Sequence, residues 1–543
     1  SVSAYENSLE AFRVLLESAY TRTGQQAEIG TVSRLPSRLA LALLQCNNLK
    51  RAVEVLEAGR AQLLREALER QRKDLKRLAD LGFGELCERF GKASQKEDEL
   101  RSTPADQRPA DWQAQIEIAR QETLAAAEAI RQQAGREHPE YRFFLSSLPF
   151  DEIQRQAQSA PLVYLFTTPH GGGALIIPAQ GDPILVDLPQ LTEEVLNEQI
   201  LIQKEDTSFG SYLRDYFVWR SSPDNETTRA MWFDRLKNTL RWLGEALMQP
   251  VLEALSGTGE AVLVPGGLLG LLPLHAAILP DLASEKEKFA LDVCAFTYAP
   301  SAHALYHARA TESRSADTLL AVDNPKGDLH FSEGEVGAVL EHFPNKAVHL
   351  PRSNASKEEV QRQIGSAQVL HFSTHGAAGW GEAESARLSL ADGDLTLGEI
   401  FELRLDGARL AVLSACETGI PGIKLPDEFV SLPSALMQAG VPGVIGSLWV
   451  VNDMSTAILI ARFYHQWRVE HLNPPEALRQ AQKWFRDSPP DEKTQFFAPF
   501  IPELAAQTRM PPESAKAFYQ WIKLTDADLS HPFFWAGFSY TGI

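Results

Sequence analysis

The spacing of apolar residues divides the chain into a helical front and an α/β remainder. Within residues 1–140, apolar side chains recur at intervals of three and four, over 5–21, 39–45 and 52–64. This spacing predicts amphipathic helices. The turn-like Cys46-Asn47-Asn48 separates the last two, which predicts a helical hairpin. A degenerate tetratricopeptide (TPR) unit and a plain hairpin remain equally good interpretations, because the full repeat consensus is absent.

The pattern changes to short apolar runs from about residue 141. The runs 161–168 and 174–178 flank a His-Gly-Gly-Gly segment that begins at His170, and this arrangement predicts a β-hairpin. The same tetrapeptide resembles the oxyanion loop of lipase-like hydrolases. Those enzymes also need a downstream G-x-S-x-G elbow, which the sequence lacks, so the hairpin is the favoured interpretation.

From residue 316 onwards, apolar strands alternate with helices. The predicted strands are 318–322, 369–373, 410–414 and 443–448, and the predicted helices are 334–342, 357–364, 430–439 and 455–471. Short apolar strands that alternate with helices indicate a parallel sheet covered on both faces. Ligands and chemistry collect at the carboxyl ends of the strands in such sheets.

Two of these carboxyl ends carry reactive side chains. His375 and Gly376 follow the 369–373 strand, and Cys416 follows the 410–414 strand. Cysteine catalysis needs a nearby base, because a free thiol with a pKa near ~8.5 is only partly ionised at neutral pH. The backbone N–H groups of Gly376 and Cys416 are candidate oxyanion donors. The alternative is a small core cysteine and an ordinary histidine at a strand end.

Charge and cysteine content restrict the class of protein. The formal net charge of −19 argues against broad binding to nucleic-acid backbones. The four cysteines form no C-x-x-C pair, so we expect neither a structural zinc site nor a disulfide framework, and a cytoplasmic location fits best. No apolar run is long enough for a membrane helix. The chain begins at Ser1 without a methionine and without a signal-like apolar region, so we expect a trimmed or renumbered fragment.

Several segments resemble the CHAT family of caspase-like peptidases related to separase. The resemblance is carried first by His-Phe-Ser-Thr-His-Gly at 371–376 and Leu-Ser-Ala-Cys-Glu-Thr-Gly at 413–419. Further segments that are similar to the family lie at 58–61, 264–275, 427–430, 435–440, 446–449 and 531–536. The resemblance covers roughly residues 50–543.

The resemblance implies an α/β caspase-like fold, with a mostly parallel sheet sandwiched by helices. It also implies three regions: a TPR-like helical region (1–140), an inactive pseudo-caspase lobe (141–315) and an active lobe (316–543). By the same resemblance, His375 is the catalytic histidine and Cys416 the nucleophile, with oxyanion donors at Gly376 and Cys416.

The resemblance also marks substrate-binding positions. The family's strand edge that pairs with an extended substrate corresponds to Ser447, Leu448 and Trp449. Asp453 stands at the family's usual acidic position. Two further acids that could supply negative charge, with ordinary loop acids as the alternative, are Asp323 and Asp427.

Relatives that cut after Lys or Arg carry Asp two residues before the cysteine. Ser414 occupies that position here, so a basic preference at P1 is unsupported.

These observations predict a cysteine endopeptidase that cleaves a specific protein and stays latent until a partner docks on the helical front. Resemblance to bacterial TPR-CHAT proteins implies antiviral defence or programmed cell death, with a gasdermin-type or CRISPR-associated substrate. We expect no cofactor and no resident metal. The alternatives are a catalytically silent scaffold and a cysteine-dependent amidase for small substrates. The sequence contains no P-loop and no H-E-x-x-H motif, so it supports neither an NTPase nor a zincin.

Overall fold

The structure is a computed structural model, and it describes most of the 543 residues. The described ranges are 34–60, 77–101, 103–104, 107–201, 211–280, 286–309, 315–380, 385–422, 430–500 and 529–543, together with Val2, Tyr5 and Leu75. The predicted helix over 5–21 lies almost wholly outside these ranges, as does Asp427.

Sixteen strands occur in the described ranges. They are β1 (Leu162–Thr168), β2 (Gly171–Ile177), β3 (Ile184–Leu188), β4 (Glu260–Pro265), β5 (Ile278–Leu279), β6 (Lys288–Phe289), β7 (Ala295–Tyr298), β8 (Leu319–Asp323), β9 (Ala347–Pro351), β10 (Val369–Ser373), β11 (Gly376–Ala377), β12 (Arg387–Ser389), β13 (Asp394–Thr396), β14 (Leu410–Ser414), β15 (Gly443–Ser447) and β16 (Phe538–Gly542).

The α-helices of the same ranges number eighteen. They are α1 (Leu35–Gln45), α2 (Leu49–Ala58), α3 (Gly84–Arg101), α4 (Trp112–Glu137), α5 (Phe150–Arg155), α6 (Glu193–Ile200), α7 (Tyr212–Ser221), α8 (Glu226–Leu243), α9 (Gln249–Ala254), α10 (Ala290–Val293), α11 (Ala302–Arg309), α12 (Ser332–Leu340), α13 (Lys357–Gln363), α14 (Leu397–Glu402), α15 (Leu432–Gln438), α16 (Asp453–Arg468), α17 (Pro474–Asp487) and α18 (Pro490–Phe497).

One sheet of eleven strands runs through the α/β part, in the order β3-β2-β1-β4-β7-β16-β15-β14-β10-β8-β9. Strands β14, β10, β8 and β9 are mutually parallel, and β15 is parallel to β14. The C-terminal strand β16 runs antiparallel to β15 and joins the two halves of the sheet by pairing with β7. The mostly parallel α/β fold is therefore confirmed, whereas the division into two lobes at residue 315 stays a prediction.

Apolar side chains of the central strands alternate between two hydrophobic clusters, one on each face of the sheet. On β10, Val369 belongs to one cluster, while Leu370 and Phe372 belong to the other. On β14, Val412 and Leu413 are divided in the same way. Because side chains of a strand point alternately to opposite faces, a strand covered on both faces is apolar throughout. This explains why the four-strand pattern was readable in the sequence.

The glycine-rich segment after His170 forms a β-hairpin, as predicted. Strand β1 pairs antiparallel with β2 in a register that joins Thr168 to Gly171. A side chain at Gly172 or Gly173 would approach the backbone oxygen or the ring of Phe166 to less than 3 Å. The glycines are therefore needed for packing within the hairpin.

Helices α1 and α2 pack directly on the sheet. Their apolar face shares a hydrophobic cluster with residues of β1, β2 and β4. Glu57, near the end of α2, is buried and accepts hydrogen bonds from the Tyr164 hydroxyl (2.6 Å) and from the backbone N–H groups of Ala302 (3.0 Å) and His303 (2.8 Å). It thereby caps helix α11. The helical hairpin formed by α1 and α2 is therefore an integral layer of the α/β part.

We expect Glu57→Gln to lower the free energy of unfolding by about 2 kcal/mol, because the amide offers one oxygen where three buried donors need acceptors. Chemical denaturation followed by circular dichroism measures this change. The matched control is Glu122→Gln, since Glu122 forms an exposed ion pair with Lys96 and should change stability by less than about 0.5 kcal/mol. Equal effects of the two substitutions would contradict the capping role.

Candidate active site

The carboxyl ends of β10 and β14 lie side by side. These two parallel strands pair in register up to their last residues, where Ser373 is opposite Ser414. His375 and Cys416 each lie two residues beyond that pair, at the same rim of the sheet. The prediction that both residues follow the carboxyl ends of parallel strands is confirmed, and the two strands are neighbours in the sheet. The arrangement arises because each apolar run ends at a polar residue where the chain leaves the covered sheet.

Gly376 brings the histidine segment against the cysteine loop. A Cβ atom at this position would lie 2.6 Å from the backbone oxygen of Cys416 and 2.9 Å from Cγ2 of Thr418. These separations are too short for any side chain, so the close approach of the two segments requires glycine. The oxyanion role of the N–H groups of Gly376 and Cys416 stays a prediction.

The surroundings of the Cys416 thiol favour its protonated form. Burial raises its pKa to about 11, and the neighbouring carboxylate of Glu417 also raises it. The backbone N–H of Val451 donates to the sulfur, which lowers the pKa, as does the charge of Arg220. A thiol in this state is mostly protonated at neutral pH, so catalysis requires a base or a change of environment.

The imidazole of His375 faces an acid. Its Nε2 lies 2.8 Å from Oδ1 of Asp328, and both side chains are about half exposed. Although burial favours the neutral acid, the hydrogen bond from His375 and the charge of the ring lower the pKa of the Asp328 carboxyl. An acid in this position can fix the orientation of the ring and stabilise its protonated form.

Asn324 shapes the loop that presents Asp328. This residue has a positive φ of 46° directly after β8. Its side-chain oxygen accepts hydrogen bonds from the N–H groups of Asp328 (3.0 Å) and Leu329 (3.1 Å), and its own N–H donates to the oxygen of Ser373 (2.9 Å). Asp328 was missed in the sequence, although its signal was a turn-forming Asn after a strand that ends at the same rim.

The imidazole and the thiol have separate partners in this structure. The ring of His375 contacts Asp328, and the sulfur of Cys416 accepts from Val451. Both groups nevertheless project from adjacent strand ends. The ring and the thiol must come into contact before the base can take the thiol proton. His371, four residues earlier on β10, is fully buried, with Nε2 3.1 Å from Oε1 of Glu335.

The predicted substrate edge at Ser447 requires correction. Ser447 ends β15, which is flanked by β14 and β16 and is therefore an interior strand. Its N–H donates to Oγ1 of Thr418 (3.0 Å), and its C=O accepts from the N–H of Gly419 (2.7 Å). The cysteine loop thus occupies both backbone groups that a substrate strand would use.

Backbone groups of Leu448 and Trp449, the next two residues, are also hydrogen-bonded within the fold. The N–H of Leu448 donates to the oxygen of Gly537 (2.8 Å), and the C=O of Trp449 accepts from the N–H of Glu417 (3.2 Å). Trp449 is also fully buried. The interpretation of Ser447–Trp449 as a free strand edge is therefore wrong, because the C-terminal strand returns beside β15 and the cysteine loop covers its end.

The described candidate acids have partners inside the fold. Asp323 accepts from the Ser332 hydroxyl (2.7 Å) and contacts Nε2 of His349 (2.9 Å). Asp453 accepts from the backbone N–H groups of His330 (2.8 Å) and Phe331 (3.1 Å), and burial raises the pKa of its carboxyl. These contacts stabilise loops at the rim, and substrate binding by either acid stays a prediction.

Glu417 is a second residue whose role the sequence did not reveal. It directly follows Cys416 and has a φ of 58°, which is uncommon for a residue with a side chain. Its carboxylate is completely buried. It receives the Tyr216 hydroxyl at 2.5 Å and the Nε of Arg220 at 2.8 Å. Both partners lie on α7, about 200 residues earlier in the chain.

Within the described ranges, no group of three or more His, Cys, Asp or Glu side chains is placed to hold a metal ion. None of the described helices combines the length and the apolar character that crossing a bilayer requires.

A family model described as "CHAT domain" matches residues 237–542, which is more than half of the chain. No curated protein matches the chain.

Several solved structures are similar to this chain at low identity. The separase–securin complex of Saccharomyces cerevisiae has a TM-score of 0.41 and 10% identity, over 89% of this chain and 47% of that one. The Arg-specific gingipain R (RgpB) has a TM-score of 0.32 and 11% identity, over 47% of this chain and 65% of that one. A complex of the pro- and mature domains of Porphyromonas gingivalis RgpB has a TM-score of 0.31 and 10% identity, over 56% of this chain and 72% of that one. The chain thus spans about half the length of the separase chain.

Proposed function

The chain belongs to the CHAT domain family of caspase-like cysteine peptidases, and from that premise we propose that it is an endopeptidase with Cys416 as nucleophile and His375 as general base. The observation that carries the proposal is the register of β10 and β14, which pairs Ser373 with Ser414 and places both reactive side chains at one rim. Gly376, in contact with the cysteine loop, supports a shared oxyanion site.

In the proposed reaction, His375 takes the proton of the Cys416 thiol as the sulfur attacks the peptide carbonyl. The protonated ring then gives its proton to the leaving amine. The resulting thioester is hydrolysed by a water molecule that His375 deprotonates, which regenerates the free thiol. Asp328, 2.8 Å from the ring, would stabilise the protonated histidine between these steps.

The resting geometry supports latency. The thiol accepts from Val451, its pKa is raised to about 11, and the imidazole is paired with Asp328. We propose that binding of a partner to the helical region 1–140 brings ring and thiol together. By family resemblance, we further propose a role in bacterial defence or programmed cell death, with a gasdermin-type or CRISPR-associated substrate.

Cleavage profiling tests the proposed function. The purified chain and its Cys416→Ala variant are mixed with a peptide library and with host lysate, and new termini are identified by mass spectrometry. Termini that appear only with the wild type would establish the peptidase and give its P1 preference.

A catalytically silent scaffold is the second candidate, because thiol and imidazole are not hydrogen-bonded to each other in this structure. The Cys416→Ala variant separates the two by capturing bound proteins from lysate. A protein that the variant retains and the wild type cuts is a substrate. One that both retain intact favours the scaffold.

A further inference from the structure

One buried hydroxyl connects the two segments that flank the Cys416 thiol. Tyr216 on α7 donates to Oε1 of Glu417 at 2.5 Å and accepts from the N–H of Val450 at 3.1 Å. Glu417 immediately follows Cys416, and Val450 immediately precedes Val451, whose N–H donates to the sulfur. The Tyr216 hydroxyl therefore contacts the residue next to Cys416 on one segment and the residue next to Val451 on the other.

The carboxylate of Glu417 depends on this contact. It is fully buried beside the nucleophile, and a buried charge is costly unless it is paired and hydrogen-bonded. Arg220, one turn further along α7, contributes the ion pair, with Nε 2.8 Å from Oε1 and a second nitrogen 3.0 Å from Oε2. Tyr216 contributes the hydrogen bond. Together they hold Glu417 in its left-handed backbone conformation.

The ring of Tyr216 determines where the hydroxyl lies. It is buried among aromatic side chains, with ring centroids 5.2 Å from Trp232, 5.9 Å from Trp219 and 5.9 Å from Trp380. A ring packed in this way has little freedom to move. Its hydroxyl is consequently a fixed point against which both segments are aligned.

We infer that Tyr216 is a positioning residue for the nucleophile: its hydroxyl aligns Glu417 and Val450 and thereby holds the Cys416 sulfur against the N–H of Val451. The inference rests on the proposed function for its catalytic meaning. Helix α7 (Tyr212–Ser221) precedes the 316–543 region, so an element distant in sequence positions the sulfur of Cys416.

The test is Tyr216→Phe, compared with Tyr212→Phe. Tyr212 lies one turn earlier on the same helix, is equally buried and packs on the same Trp232. Among the described residues, its hydroxyl has no hydrogen-bond partner. Both substitutions therefore remove one buried hydroxyl from α7, but only Tyr216→Phe releases Glu417 and Val450.

The readout is alkylation of Cys416 by iodoacetamide as a function of pH, resolved by peptide mass spectrometry. The exposed Cys46 serves as the internal reference. Burial raises the thiol pKa by more than the N–H of Val451 lowers it, so loosening the flanking segments admits water and should lower the pKa. For Tyr216→Phe we expect a lower pH midpoint and a rate at pH 8 about tenfold higher, as a fall of one in pKa would give. Peptide cleavage should fall about tenfold. Tyr212→Phe should match the wild type.

A midpoint for Tyr216→Phe that equals the wild-type value would overturn the inference, even if the variant melts at a lower temperature. A higher midpoint would show that the sulfur had lost the N–H of Val451, as the inference also allows. The alkylation readout needs no substrate. It therefore decides the role of Tyr216 also when the wild type cuts nothing and the proposed function fails. If Tyr216→Phe does not fold, hydrogen exchange of the wild type decides: the amides of Val450 and Val451 should be protected like those of β15, and rapid exchange would contradict the inference.

Discussion

Replacing Cys416 with alanine should reduce peptide cleavage on the order of a millionfold, because the proposed mechanism has no other nucleophile. The fold should be preserved. The side chain is small, and the one hydrogen bond it accepts comes from the backbone of Val451. We therefore expect the free energy of unfolding to change by no more than about 1 kcal/mol. Initial rates on the best peptide from cleavage profiling, together with thermal unfolding, measure both quantities.

The other cysteines provide matched controls for this experiment. Cys46 is exposed on the helical front, and Cys294 is completely buried before β7. Alanine at either position should leave cleavage within about twofold of the wild type, although Cys294→Ala should lower stability by roughly 1 kcal/mol because it leaves a small cavity. A Cys416→Ala variant that retained measurable turnover above background would remove the thiol from the mechanism and favour the scaffold function.

The central strands were predictable because their signal is local. Strands β10 and β14 occur over the residues predicted for them, since short apolar runs that end at polar residues suffice to mark buried parallel strands. Their adjacency followed from the short crossover between them. The positions of His375 and Cys416 at one rim could therefore be inferred from the sequence alone.

The contacts around the reactive groups could not be predicted in the same way. Glu417 is held by Tyr216 and Arg220, about 200 residues away in sequence, and no periodic pattern connects residues at such separations. The strand edge proposed for Ser447–Trp449 failed for a related reason. A family motif identifies the strand, but only the three-dimensional topology shows that β16 and the cysteine loop occupy its sides.

The two ends of the chain illustrate the same limit. Apolar spacing predicted helices where α1 and α2 occur, although α2 ends at Ala58 and was predicted to reach residue 64. The spacing did not show that Glu57 reaches into the sheet and caps α11. At the C-terminus, the family-like segment 531–536 contains a short 3-10 turn, and the strand begins later, at Phe538. The spacing of apolar residues reports which face of an element is buried, but it carries no information about the partner against which that face packs.

The contact between the two reactive segments predicts a large effect for Gly376→Ala. The new methyl group would lie 2.6 Å from the backbone oxygen of Cys416 and 2.9 Å from Cγ2 of Thr418. Since one of these neighbours is backbone, the cysteine loop itself must move. Overpacking of this kind costs about 1–3 kcal/mol of stability. Displacing a nucleophile by about 1 Å can reduce the rate on the order of a hundredfold. Denaturation and peptide-cleavage rates measure the two effects separately.

The matched control is Gly393→Ala, in the turn between β12 and β13. No atom lies within 4 Å of a Cβ placed on Gly393, so alanine should leave both stability and activity close to those of the wild type. If Gly376→Ala stays folded but loses activity, the separation of the two segments matters for catalysis beyond its contribution to stability. If Gly376→Ala is as active as Gly393→Ala, the close approach of the two segments at Cys416 is not needed for the reaction.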